Sequence, residues 1–136
     1  MITATELDVI YAQHGIKREN VLFLTIYRAI LKRIADGTKK VEFRDLTDYY
    51  LRKLQYVDKK NQPTGLKPLK YILFKGGYTN TSPMMLIQLV DWYSIEKGYN
   101  SGSERSRFIR EEAKKDGFTE DDEYIGLILG DIIIQK

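Results

Sequence analysis

The stretch Asp36-Gly37-Thr38-Lys39-Lys40-Val41-Glu42-Phe43-Arg44-Asp45 is where a helix gives way to a strand. Upstream of it, Tyr27, Ile30, Leu31 and Ile34 recur at the spacing of one helix face. Gly37 follows the last of them, where a helix end favours a residue tolerant of the left-handed conformation. Downstream, Lys40, Glu42 and Arg44 alternate with Val41 and Phe43, the two-residue period of a strand with one buried face. Val41 and Phe43 are thereby assigned to the core, and Glu42 and Arg44 share the other face, roughly 6.6 Å apart along the strand. Lys39 falls in the turn, able to swing toward either face.

Composition bounds what surrounds this stretch. A chain of 136 residues is one domain, long enough to bury about two-thirds of its unfolded surface in a single core. Hydrophobic residues at 43% and charged residues at 30% are ordinary globular values, which argues against disorder. Net charge is +3, compatible with a phosphate-bearing partner but below the density of a dedicated nucleic-acid arm. Ten tyrosines supply amphipathic rings that can stack on a base or fill a core rim. There is no Cys and one His, His14, read as a solvated helix end; disulfide scaffolds, zinc clusters and Cys nucleophiles are excluded, and neither metal nor cofactor is expected. No apolar run approaches a membrane span, and the first residues lack a basic-then-apolar signal pattern, so the expected location is cytoplasmic.

Residues 1–20 form a separate N-terminal segment, with Leu7, Ile10 and Tyr11 on a short helix after Thr5 that stops at Gly15. Val21–Ile26 is a continuous apolar run that reads as a buried strand, and the helix from Tyr27 to Asp36 follows it. Leu46–Leu54 is a further helix, capped by Thr47 or Asp48. The polar residues Asp58–Lys67 read as an exposed loop. Leu69–Phe74 and Met84–Ile95 form a hairpin-like strand pair across Gly76-Gly77-Tyr78 and Asn80–Pro83. Tyr99–Ser103 is a turn, Ser103 caps a charged helix to Asp116, and Gly117 stops it. Tyr124–Leu129 and Ile132–Ile134 are strand material broken at Gly130-Asp131 by a hairpin or a bulge. This order predicts an α+β domain over 21–136: a small β-barrel or curled mixed sheet of about five to six strands, with two to four flanking helices.

Residues 37–44 fit Gly-x-Lys-x-x-Glu-x-Arg, and this pattern resembles the signature of the ASCH family, small β-barrel domains similar to the PUA domains of RNA-modifying enzymes. The likeness extends to Val21–Asp36, to Ile128–Ile133 and to Phe74–Tyr78, which is similar to a Gly-Tyr segment of phage and bacterial single-domain members. The resemblance implies a PUA-like barrel and a cleft beside it, lined by the motif, that accepts RNA or a nucleotide. The implied ligand-binding residues are Gly37, Thr38, Lys39, Glu42, Arg44 and Tyr78. Some ASCH relatives hydrolyse the amide of acylated cytidine with a Lys, a Thr and a Glu. That Lys maps onto Lys39, whereas the Thr position holds Glu42 here.

The residue types allow three functions. A guanidinium offers a fork to phosphate or a base edge, Lys adds a point charge, and a carboxylate accepts from a base amino group, which together make a binding module. Tyr78 and Trp92 offer stacking surface, although for Trp92, Tyr49 and Tyr50 a core or rim role ranks ahead. An amidohydrolase acting on acylated nucleosides such as N4-acetylcytidine would use Lys39 as base, its pKa lowered by Lys40 and Arg44, and Glu42 as proton carrier, with Asp91 a candidate second carboxylate. A non-catalytic interaction domain would carry the motif as scaffold, its cleft shallow or plugged by the protein's own side chains, and residues 1–20 lying across it would favour that reading. Binding ranks ahead of hydrolysis. Glu42 and Arg44 either face a cleft or hold one another, and Arg105, Arg107 and Arg110 are secondary candidates for backbone contacts.

Overall fold

A computed structural model describes residues 3–98 and 102–136. Among the described residues, four α-helices and seven strands follow one another, with a short 3-10 helix at Arg18–Asn20: α1 (Ala4–His14), β1 (Val21–Thr25), α2 (Arg28–Ala35), β2 (Val41–Asp45), α3 (Asp48–Leu54), β3 (Gln55–Val57), β4 (Pro63–Leu66), β5 (Tyr71–Lys75), β6 (Met84–Ile95), α4 (Glu104–Lys115) and β7 (Tyr124–Gln135). The five long strands form one mixed sheet in the order β1-β5-β6-β7-β2, curled into a half-barrel, and β3 and β4 make a small separate hairpin. Only β1 and β5 run parallel; the other pairs of the large sheet are antiparallel. The α+β class and the curled sheet expected from the element order are what the fold shows.

The two-residue period of the strands builds three apolar clusters. Inside the curl, Leu22, Leu24, Ile72, Phe74, Met85, Ile87, Ile125 and Leu127 meet Leu31 and Ile34 of α2 and Leu54 of α3. On the outer face, Leu73, Met84 and Leu86 receive Leu7, Ile10 and Tyr11 of α1. Farther along that face, Val41, Ile95, Tyr124 and Ile128 receive Ile109 and Ala113 of α4. Gly126 lets α4 settle, since a Cβ there would run into the Ile109 side chain.

Several local expectations are corrected. The helix before Gly15 begins at Ala4, capped by Thr3, whose side chain accepts from the Glu6 N–H. In β1, an edge strand of the sheet, burial alternates, with Leu22 and Leu24 buried and Phe23 exposed. Residues 58–66 are exposed but contain β4, which pairs with β3. The break at Gly130-Asp131 is a bulge: β7 is one strand, and Ile87 and Leu89 of β6 face Ile132 and Leu129, three residues apart. A second irregularity follows between Leu89 and Asp91, which face Leu129 and Ile128. Of the expected turn Tyr99–Ser103, residues 99–101 lie outside the described residues.

Candidate functional site

β2 is an edge strand, bonded to β7 on one side, and its alternation sorts the motif into two groups. Val41 and Phe43 face α4. Glu42 and Arg44 face the interior of the curl, and Glu42 is only 5% exposed. Its carboxylate is fully engaged: Oε1 accepts from the Phe43 N–H at 3.1 Å, and Oε2 accepts from Arg44 Nη2 at 2.9 Å. The same Nη2 donates to the Thr25 carbonyl at 2.7 Å, and Nη1 donates to the Tyr50 hydroxyl at 3.4 Å. Arg44 therefore spans from β2 to the end of β1, the two edges of the half-barrel. Burial opposes its charge, but the Glu42 carboxylate and the Tyr50 hydroxyl outweigh that and raise its pKa above the ordinary guanidinium value.

Lys39 has the parity of Val41 and Phe43, and it goes with them. Gly37 adopts φ +78°, and the N–H groups of Thr38 and Lys39 both donate to the Arg33 carbonyl, at 3.0 and 3.2 Å. This turn sends the Lys39 side chain toward the end of α4. Its Nζ donates to Asp116 Oδ2 at 3.0 Å, lies 3.6 Å from Glu42 Oε1, and stands 4.7 Å from the centre of the Phe43 ring. The groups that pair with it are carboxylates, so the crowding by Lys40 and Arg44 expected of a general base is not the observed environment. Asp116 also accepts from Arg33 at 2.9 Å. Burial pushes the Asp116 carboxyl up, but the hydrogen bonds from Arg33 and Lys39 prevail and hold it below the usual carboxylate range. Thr38 donates its hydroxyl to the Arg33 carbonyl.

A cleft of about 640 Å³ opens where the end of β1, the start of α2, β2, Tyr50 of α3 and the Gly76–Tyr78 loop converge. Of the six ligand-binding residues implied by the motif, Glu42, Arg44 and Tyr78 line it; Gly37, Thr38 and Lys39 do not. Tyr78 stands at the mouth, 87% exposed, and Tyr27 is 80% exposed along the same cleft. The Tyr78 loop is pinned from both sides: Gly76 N–H donates to the Pro83 carbonyl, Thr79 N–H to the buried Ser82 hydroxyl, and Arg28 Nε to the Gly76 carbonyl at 3.0 Å.

Sequence reasoning missed Tyr27 and Arg28. Tyr27 was placed on the packed face of α2, but it is the N-cap residue, with extended backbone, and its ring points outward. The available signal was position: it is the second residue after a strand end, where a helix has not yet begun. Asp91 does not reach the cleft. The irregularity after Leu89 inverts the alternation of β6, so Trp92 joins the interior cluster while Tyr93 packs with α4. Asp91 accordingly meets Arg105 of α4 at 2.7 Å. Arg107 and Arg110 line a second cavity, of about 510 Å³, between α4 and the loop before β7, where Glu96, Glu111, Glu120 and Asp122 balance them. Among the described residues, no group of three His, Asp or Glu side chains is placed to hold a metal ion. No described helix is long and apolar enough to cross a membrane. Comparison of the chain with protein-family models, curated proteins and solved structures gives no match.

Proposed function

We propose that this chain is an ASCH-like module that binds RNA or a nucleotide in the cleft beside the Gly37–Arg44 motif. The observation that carries the reading is the company the cleft keeps: two exposed tyrosine rings, Tyr27 and Tyr78, over a polar floor containing Arg28, Glu42 and Arg44. Exposed rings beside guanidinium groups suit a base that stacks and a phosphate that pairs. Glu42 and Arg44 act as the floor, since each is largely committed to an internal partner. The rings and Arg28 make the contacts that a ligand reaches first.

The alternatives draw less support. Hydrolysis asks for an amine presented to the ligand, and Lys39 is turned to Asp116 behind β2. The scaffold reading asks for a shallow or plugged cleft, favoured by residues 1–20 across it; a cleft of about 640 Å³ opens instead, and α1 packs on the outer face, against Leu73 and Leu86.

The test is a titration of short single-stranded RNA and of uridine monophosphate at low and physiological salt. RNA affinity is expected to fall as salt rises, and Tyr78→Ala to cost about 1–3 kcal/mol of binding. A folded protein that binds neither probe at either salt would end the proposal. Incubation with N4-acetylcytidine is the control for hydrolysis; turnover lost in Lys39→Ala would restore the enzyme reading.

A further inference from the structure

The cleft does not hold the molecule's positive charge. Residues 46–70, through α3 and the β3–β4 hairpin, contain Arg52, Lys53, Lys59, Lys60, Lys67 and Lys70 against only Asp48 and Asp58. Six cations against two carboxylates is a net +4, so the remainder of a chain of net +3 is net −1. Ion pairing sharpens the contrast. Nine ion pairs form among the described residues, and none includes any of these six side chains. The two carboxylates are occupied otherwise: Asp58 Oδ1 accepts from the Lys60 and Gln62 N–H groups, and Asp48 Oδ2 from the Asn61 side chain.

Rings are interleaved with these charges. Lys53 Nζ stands 5.2 Å from the Tyr49 ring centre and Lys67 Nζ 5.8 Å from that of Tyr56, and both tyrosines are exposed. The surface is continuous with the cleft. Tyr49 packs edge-on against Tyr50, which lines the cleft, with ring centres 5.1 Å apart. The Asn61–Asp48 hydrogen bond ties the hairpin turn to the start of α3.

We infer that α3 and the β3–β4 hairpin are a second contact surface for single-stranded nucleic acid, tracking the backbone of a strand whose base enters the cleft. The inference rests on the cleft reading for the far end of that strand. Alternating cations and exposed rings suit a single strand, which offers both phosphates and base faces, better than a duplex, whose base faces are stacked away. A lipid surface fits less well, because Leu51 and Leu54, the aliphatic residues α3 would insert, pack against the core.

The experiment compares the wild-type chain with Lys59→Gln/Lys60→Gln/Lys67→Gln and with Tyr27→Ala/Tyr78→Ala. The probes are a labelled single-stranded RNA of about ten nucleotides, the same RNA as a duplex, uridine monophosphate, and phosphatidylcholine–phosphatidylserine vesicles. The lysine variant is expected to melt like the wild type, to bind the single strand about tenfold more weakly at low salt, and to lower the salt slope by about 2. Its affinity for uridine monophosphate should be unchanged, whereas the tyrosine variant should lose both ligands. Wild-type affinity and slope in the lysine variant overturn the inference and leave the cleft reading standing. So does duplex binding as tight as single-strand binding, or a lysine effect seen only on vesicles. If the tyrosine variant keeps RNA binding that the lysine variant loses, the cleft reading falls and the basic surface remains. Binding to no nucleic acid overturns both.

Discussion

Arg44 bridges the two edges of the half-barrel, so its removal acts on folding and on the cleft together. Arg44→Ala deletes the bond to the Thr25 carbonyl and leaves Glu42, buried, with Lys39 at 3.6 Å and the Phe43 N–H as its partners. The expected cost is about 3 kcal/mol, because the loss strands part of a buried charge. Arg44→Lys keeps the charge but not the fork, and should recover only part of that stability. Phe43→Ala removes a ring that packs on Phe118 and Tyr124, at 5.0 and 5.5 Å between centres, and should cost a similar amount, about 3 kcal/mol. Urea denaturation of the three variants checks this; an Arg44→Ala midpoint equal to that of the wild type would show that the bridge contributes nothing. Arg44 lines the cleft and holds Glu42 at once, so the two alternatives coincide, and half of this was legible: Glu42 and Arg44 share a face because a strand has a period of two. What the pair holds was not legible, since Thr25 lies nineteen residues away in sequence.

At the scale of elements, two helix ends govern the site. Thr47 caps α3 by accepting from the Tyr50 N–H at 3.3 Å, and so fixes the turn that carries Tyr50 into the cleft. Thr47→Ala should cost about 1 kcal/mol in chemical denaturation. It should also weaken ligand binding, whereas Thr3→Ala, at the cap of α1 on the other face, should affect stability alone. At the end of α4, Asp116 joins Arg33 of α2 and Lys39 of the turn that precedes β2. Its carboxyl is held below the ordinary carboxylate range, so the unfolded chain takes up the proton first as pH falls. The stability it contributes is present above the unfolded value of about 4 and is lost as pH drops through the lower folded value. Asp116→Asn should therefore lower the melting temperature at neutral pH and flatten its decline below pH of about 4, in melts recorded across that range. Thr47 and Ser103 were readable as caps because each is a hydroxyl residue just before a helical pattern. β4 was not readable as a strand, because its four residues are exposed throughout and begin at Pro63, so neither alternation nor burial marks it.

For the whole molecule, the order of elements was enough to predict a curled mixed sheet, and the β5–β6 pair was visible in two apolar runs around Gly and Pro turns. The irregularity at Gly130-Asp131 was legible as a hairpin or a bulge, and the partner strand decides for the bulge; the one after Leu89 was hidden, because it is set by the partner strand. At Gly130 a side chain would collide with Gln88, whose Oε1 accepts from the Asp131 N–H, and no local pattern announces such a contact. That is why Asp91, a candidate second carboxylate beside Glu42, in fact meets Arg105 of α4. The inverted alternation of β6 has a thermodynamic consequence. Met85, Ile87 and Trp92 belong to the interior cluster, Met84 and Leu86 to the cluster under α1, and Tyr93 and Ile95 to the cluster under α4. One strand is thus a member of all three, which couples their stabilities through a single element. Heat should unfold the protein in a single transition whose calorimetric and van't Hoff enthalpies agree. Ile109→Ala, made under α4, should lower the melting of α1, farther along the same outer face, by the same number of degrees, so that the cleft loses its shape only when everything does.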